Sequence, residues 1–392
     1  MNKDNMVKKT SFEKYILKEA KIIKDPEVFK MAYPPKELIE RKESTELFRE
    51  VASFINYRKS NHILIKGPPG VGKTVTVRAV LSEIESLNSG FELFEINCAA
   101  KASNDILSSL NDQSTQKETF EDGLKSFLSK LDKDALIVFD EIDRSYKIDS
   151  LLYYLSRPSE IIKNFKHNIN LILISNNLGW DENIRDSTRS SLQLKNITFS
   201  PYSADKLKQI VKKRIEIGFI DPKAISEQSI DIICQDTAHK RKGDCRVAIE
   251  TTFYAAQNAE SKGRTKIIHK DITNALKIVI NSLDKERISK LKDNQLIVLF
   301  CCLLENKRSL DNFYRDYSRC AKSHNFKIQS KGMVFHIIQY LSDMGFIDKS
   351  HTIEKEANLP PKRIMEIKCK ISYDPILNEL RLRDLRLSKE EK

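Results

Sequence analysis

Residues 62–74, HILIKGPPGVGKT, decide how this chain is read. Ile63, Leu64 and Ile65 form a short apolar strand, and Gly67-x-x-x-x-Gly72-Lys73-Thr74 follows at once. That order is the phosphate-binding loop, a glycine-rich turn whose backbone N–H groups cradle an anion. Three of the chain's eleven glycines (Gly67, Gly70 and Gly72) are concentrated there. Pro69, Gly70, Val71 and Gly72 would wrap the phosphates of ATP or ADP, and Lys73 would reach the β- and γ-phosphates. The Thr74 hydroxyl would ligate magnesium, while the helix that follows aims its positive N-terminus at the anion. Val77, Val80, Leu81, Ile84 and Leu87 recur at helical spacing until Asn88-Ser89-Gly90.

Further strands accompany the loop. Phe91–Asn97 reads as a second strand, and residues 101–133 as helical with a polar break at Asn111–Lys117. Ala135-Leu-Ile-Val-Phe139 is an apolar run suited to a buried parallel strand, and it ends in Asp140-Glu141. Paired carboxylates at that edge suit magnesium chemistry: Asp140 would hold the hydrated metal, and Glu141 would polarise a water for attack on the γ-phosphate. The competing view is a solvated acidic turn. Asn170–Ser175 is a third buried run ending in Asn176-Asn177, and Asn176 would lie beside the γ-phosphate if ligands bind off the carboxyl ends of the strands. An ordinary asparagine turn is the alternative. Ile197–Phe199 is a fifth, short strand.

Composition sets the broad class. A net charge of +12 over 392 residues points to a polyanionic partner. The surplus is uneven, because residues 284–392 hold 22 Lys and Arg against 16 Asp and Glu, a net of +6. The seven cysteines are scattered without a Cys-x-x-Cys pair, so reduced buried thiols are expected rather than zinc or disulfides. The charged N-terminus is unlike a signal peptide and Leu296–Leu304 is too short to span a bilayer. The expectation is a soluble protein of the cytoplasm, associated with the nucleoid and not with a membrane.

The flanks are mostly helical. Ser11 with Phe12, Ile16, Leu17, Ala20 and Ile23 predicts an early helix. The turn-prone Ala32-Tyr-Pro-Pro35 comes next, then a charged helix from about Lys36; this lead-in is either scaffold or a wall for the nucleotide base. From Ser203 to Asn281 the pattern is purely helical, with Leu207, Ile210, Val211 and Ile215 on one face and Gly243-Asp244-Cys245-Arg246 opening a helix. From about Lys285 come two helices, a third capped by Ser330 and stopped by Gly345, and two strands, Phe346-Ile347 and Arg363–Ile371, around a polar loop. Met365, Ile367, Cys369 and Ile371 alternate with charged residues, as a half-buried strand requires. Three helices and a hairpin make a winged helix, which binds DNA or serves as a plain packing module.

Taken in order, these motifs resemble the archaeal replication initiators of the origin recognition complex subunit one / cell division control protein six type. The likeness rests on the phosphate loop, Asp140-Glu-Ile-Asp143, Leu151-Leu-Tyr-Tyr-Leu-Ser-Arg157, Ile174-Ser-Asn-Asn-Leu178, Ser190-Ser-Leu192, Phe199-Ser-Pro-Tyr202 and Gly243-Asp-x-Arg246, and it covers nearly the whole chain. It implies an α/β fold: an AAA+ P-loop parallel-sheet core over residues 1–200, an α-helical lid over 201–284, and a winged helix over 285–392. It implies that Asn176 is the sensor 1 residue, that Arg246 is the sensor 2 arginine reaching the γ-phosphate, and that Tyr202 and Arg214 contact the nucleotide. Origin double-stranded DNA, other initiator subunits and the replicative helicase are the implied partners. Residues 106–110 fall where initiators carry a DNA-touching helix. In the winged helix, Gln329, Ser330 and Lys331 at the start of the third helix would lie nearest the bases, with Lys327 on the backbone and Lys362 and Arg363 on the wing.

Two departures stand out. Family members carry Asp-Pro-Arg-Val before Ser-Ser-Leu, and that arginine serves a neighbour's site; here Ser187 takes its position, between Arg185 and Arg189. The wing tip, Glu354–Arg363, is neither glycine-rich nor arginine-rich. An initiator with slow ATP hydrolysis is one expectation. A hydrolysis-deficient, ATP-locked switch that partners or represses another initiator is the other.

Overall fold

Short runs of isoleucine, leucine and valine build a five-stranded parallel sheet: β1 (Ile63–Lys66), β2 (Phe91–Asn97), β3 (Asp134–Asp140), β4 (Ile169–Ser175) and β5 (Lys195–Thr198), in the order β2-β3-β4-β1-β5. The computed structural model describes residues 21–31, 33–35, 38–87, 90–111, 119–304, 307–323, 326–354, 362–371 and 373–383, divided into two units, Met1–Ala275 and Leu276–Lys392. Most of the helix expected over residues 11–23, the Asn88-Ser89 stop, nearly all of the polar break and residues 355–361 of the wing tip lie outside the described residues.

The sheet is buried on both faces, so its central strands are apolar throughout rather than alternating. Ile63, Ile65, Leu136, Val138, Ile172 and Ile174 pack on one side, with Leu47 and Val51 of α1 (Lys42–Tyr57) and Val77, Val80 and Ile84 of α2 (Lys73–Ser86). Leu64, Ile137, Phe139, Leu171 and Leu173 face the other side, against α3 (Ser103–Leu110), α4 (Phe120–Lys130), α5 (Asp149–Ser156) and α6 (Asp186–Leu192). The period of two along each strand sorts its residues onto these faces. Because β1 lies between β4 and β5, with Lys66 in register with Ser175 and Thr198, the loop after β1 and the ends of β3 and β4 open on one edge.

Four helices follow: α7 (Ala204–Gly218), α8 (Glu227–Lys240), α9 (Cys245–Ser261) and α10 (His269–Ser289). Ser203, Ser226 and Asp244 cap the first three, each side chain accepting a first-turn N–H. The lead-in lies along this bundle. Glu260 Oε1 accepts three consecutive backbone N–H groups, from Lys21 (2.8 Å), Ile22 (2.6 Å) and Ile23 (3.0 Å). Phe29 packs on Phe219 and Phe253. The charged helix expected from about Lys36 starts instead at Lys42, because Arg41 stays extended (φ −153°) with its guanidinium committed elsewhere.

The second unit holds α11 (Asp293–Leu304), β6 (Lys307–Arg308), α12 (Leu310–Ser323), α13 (Lys331–Asp343), β7 (Ile347–Glu354), β8 (Lys362–Cys369) and α14 (Tyr373–Leu382), with an antiparallel sheet ordered β6-β8-β7. This is the winged-helix order of helices and hairpin. Ser330 caps α13 by accepting from Met333 N, and Gly345 follows α13 at φ 77°. Leu296–Cys302, Phe313, Tyr317, Val334, Ile338, Met365 and Ile367 form the core. Two elements were not expected: the two-residue strand β6, too short to show a period, and α14. All seven cysteines are free thiols, as expected. Among the described residues no helix is long and apolar enough to cross a membrane.

His62, at the head of β1, is buried, and its Nδ1 accepts from Leu171 N (3.1 Å). Burial lowers its pKa to about 4 from the ordinary 6.5. The unfolded chain therefore takes up a proton below pH 6.5 that the folded chain refuses until about pH 4. The contribution is a loss of stability as pH falls through that window, about 3 kcal/mol in all. Denaturant unfolding between pH 7.5 and 4.5 checks this: His62→Gln, which keeps an acceptor but does not titrate there, should lose that part of the pH dependence.

Candidate nucleotide site

At the sheet edge the phosphate loop turns through Gly70 (φ 76°) and Gly72 (φ 87°), angles that side chains rarely allow. Crowding adds a second reason for glycine: a Cβ on Gly72 would stand 2.4 Å from the Tyr202 hydroxyl. Lys73 is buried, and its ammonium donates to the carbonyls of Gly67 (2.7 Å) and Pro68 (2.9 Å) and to Asn176 Oδ1 (2.8 Å). Burial lowers its pKa to about 8, although Asp143 and Asp140 pull the other way. Thr74 Oγ1 donates to Asp140 Oδ2 (3.0 Å). Burial raises the pKa of Asp140 and of Asp143. Asp143 accepts from Asn176 N (3.0 Å), tying the turn after β3 to the end of β4. Glu141 sits in the left-handed region (φ 53°), and Arg144 Nη1 donates to its Oε2 (2.6 Å).

Above this edge lies a cavity of about 340 Å³. Lys73, Thr74, Asp140, Glu141 and Asn176 line its polar end; Pro35, Leu38, Ile39, Ile210 and Ile249 make an apolar wall of a kind that suits a planar base. Arg246, Arg214 and Tyr202 line it too. Asp244 accepts from Arg246 Nε (2.9 Å) and Nη2 (2.6 Å), and Cys245 N donates to Gly70 O (3.0 Å), so α9 starts against the phosphate loop. Arg41 is the hidden brace. It donates to Val71 O (2.7 Å) and Ser200 O (2.6 Å), pairs with Glu43 and stacks over Tyr202 (4.5 Å). Burial raises the Glu43 carboxyl, but Arg41 and the Ser200 N–H outweigh it and hold it at about 2.

Comparison with known proteins places this fold. Residues 63–190 match the ATPase family associated with various cellular activities (AAA), and residues 208–277 match the Cdc6 AAA+ ATPase-type lid domain. The chain carries an AAA+ ATPase domain and a Cdc6-type lid. It resembles the ORC1-type DNA replication proteins along most of its length. That of Methanothermobacter thermautotrophicus is 29% identical over 78% of this chain and 82% of its own length; that of Pyrococcus abyssi is 25% identical over 90% and 91%. In fold the chain is similar to the Aeropyrum pernix ORC1 protein in complex with DNA, at TM-score 0.68 and 22% identity over 94% of this chain and 98% of that one. The Aeropyrum pernix ORC2 protein in its ADPNP–ADP complexes gives 0.65 and 19%, over 93% and 100%.

Within the AAA+ domain and lid, the structure brings the expected residues together. Pro69, Gly70, Gly72, Lys73, Thr74, Asp140, Glu141, Asn176, Tyr202, Arg214 and Arg246 all border one cavity, while buried Val71 serves through its carbonyl on Arg41. Arg214 is buried, with its guanidinium donating to Val28 O and lying over Tyr33 (4.6 Å). Arg41, Glu43 and Asp143 escaped the sequence reading. Asp143 belongs to the quoted Asp-Glu-Ile-Asp run, but nothing in Arg41-Lys-Glu43 marks a brace. Ser187 is exposed on α6; Arg185 donates to Ser150, and Arg189 to the carbonyls of Asp181 and Ile184. In the second unit Lys327, Ser330 and Lys331 are exposed ahead of and at the start of α13, Gln329 N donates to Tyr317 Oη, and Lys331 pairs with Asp311. Lys362 and Arg363 open β8.

The low pKa of Lys73 gives a signed prediction. Phosphate contact restores the ammonium, so nucleotide binding above pH 8 must take up a proton. Affinity should fall by up to about tenfold per pH unit beyond that point. Calorimetry at pH 9 in two buffers of different ionisation enthalpy should give different apparent heats. Lys73→Ala should lose both the heat difference and most of the affinity.

Proposed function

We propose that this chain is a nucleotide-regulated replication initiator that binds ATP or ADP with magnesium, engages origin double-stranded DNA and hydrolyses ATP slowly. The observation that carries the reading is the convergence of Lys73, Thr74, Asp140 and Asn176 from the AAA+ domain with Arg246 from the lid on one cavity. The likeness to ORC1-type proteins supplies the biological setting. Other initiator subunits and the replicative helicase come with it as partners, in the cytoplasm.

The chemistry follows from the residues. Lys73 neutralises phosphate charge and Asn176, hydrogen-bonded to it, holds the γ-phosphate end. Thr74 and Asp140 present oxygens 3.0 Å apart, the hard donors magnesium takes. Thr74 and Asp140 would hold magnesium, and it would supply positive charge against the phosphates. Glu141 orients the attacking water, and Arg246 meets the γ-phosphate from the lid.

A second reading has its own observation. Arg144 occupies Glu141, and no arginine stands at position 187. Both favour a protein that binds ATP and scarcely turns it over alone. Single-turnover hydrolysis by the wild type separates the two, a slow measurable rate supporting the first reading and none the second, and Glu141→Gln should leave ATP affinity intact and remove any rate there is. A brisk rate surviving in Glu141→Gln would contradict the assignment of the water-orienting role.

DNA engagement is assigned to the second unit. Gln329, Ser330 and Lys331 at the start of α13 would face bases in the major groove, Lys331 exchanging Asp311 for DNA, with Lys327, Lys362 and Arg363 on the backbone or minor groove. Lys327→Ala should weaken every duplex alike and lower the salt slope by about one, whereas Gln329→Ala should relax sequence preference. Fluorescence anisotropy across a salt series, on origin and scrambled duplexes, reads both.

A further inference from the structure

Arg246 does not reach the cavity as a loose side chain. Its guanidinium is gripped along one edge, Nε and Nη2 donating to the two carboxylate oxygens of Asp244 at 2.9 and 2.6 Å. The grip itself is fixed. Asp244 Oδ1 also accepts from Arg246 N (3.0 Å), capping α9, and Cys245 N donates to the Gly70 carbonyl (3.0 Å). The carboxylate lies against the bare Cα of Gly70, where a Cβ would meet Asp244 Oδ1 at 1.8 Å. One carboxylate thus refers the plane of the lid arginine to the backbone of the phosphate loop. An arginine held flat by a bidentate partner has lost its rotamer freedom before any ligand arrives.

The electrostatics point the same way. Lys73 and Arg246 are two cations facing one cavity, and each charge opposes the other; the Arg246 charge pushes the Lys73 ammonium towards neutrality while Asp244 pushes back. The Asp244 carboxylate thus stands between two cations that repel each other, paired directly with one of them.

We propose that Asp244 is a positioning and specificity-determining residue: through Arg246 it makes the site distinguish a nucleoside triphosphate from a diphosphate. This rests on the reading of Arg246 as the γ-phosphate contact. A diphosphate ends short of Arg246 and gains nothing from its orientation. A triphosphate meets a fork already set in place, and the preorganisation appears only in its affinity.

The test is a double-mutant cycle in the full chain, with ATP and ADP affinities measured by calorimetry in magnesium. Asp244→Asn keeps the helix cap but weakens the charge-assisted grip; Asp244→Ser keeps a cap and cannot chelate. Both should weaken ATP at least about tenfold and leave ADP within twofold, with the melting temperature of the nucleotide-free protein unchanged. Arg246→Gln should do the same, and adding Asp244→Asn to it should cost nothing further. Equal losses for ATP and ADP, tighter ATP binding in Asp244→Asn, or additive losses in the double variant each overturn the positioning role while leaving the Arg246 contact standing. An Arg246→Gln variant with wild-type ATP affinity overturns that contact, and the proposal with it.

Discussion

A lysine ammonium cannot be buried without oxygens around it, and much of the first unit is arranged to supply them. The Gly67 and Pro68 carbonyls come from the loop itself, which can fold back only because Gly70 and Gly72 accept positive φ. The third acceptor, Asn176, is 103 residues away in sequence and arrives because β4 is the parallel neighbour of β1. Strand order is therefore an electrostatic matter as well as a hydrophobic one. A register slip would exchange residues between the two packed faces and also strand the cation.

The acidic edge obeys a related constraint. Asp140 and Asp143 are buried among few neutralising groups, so each finds a specific donor: the Thr74 hydroxyl for one, the Asn176 backbone for the other. These bonds tie β3, β4 and the phosphate loop into one frame. Arg41 ties in a fourth piece, and its geometry explains why α1 begins where it does. A guanidinium satisfied by Val71 O, Ser200 O and Glu43 requires an extended backbone at Arg41, and the helix must wait one residue more. Local helical propensity loses to a buried cation.

The strands, the phosphate loop and the acid pair were legible because burial on two faces demands unbroken apolar runs, and phosphate chemistry demands fixed spacing. Ser330 was legible as a cap because a hydroxyl residue before an apolar helical run is a local signal. Arg41, Glu43 and Asp143 were not, since apart from the Arg41–Glu43 pair their partners lie 30 to 159 residues away and leave no pattern in their own neighbourhoods. Strand β6 hid for a different reason, because two residues carry no period and only β8 gives Lys307-Arg308 a partner. Arg214 shows the limit of motif transfer: its position borders the cavity as expected, while its charge is spent largely on Val28 O and the Tyr33 ring.

The clasp between Glu260 and the amides of Lys21, Ile22 and Ile23 joins residues about 238 apart. During synthesis every strand of the parallel sheet has been made once Thr198 is added, so loop, acids and Asn176 can assemble before the lid is complete. The lead-in cannot be clasped until some sixty residues later, when Glu260 appears, and closing so long a loop is intrinsically slow. Pro35, Leu38 and Ile39 lie just beyond the clasped segment. The polar end of the cavity can thus form early, and its apolar wall is completed later in the growing chain.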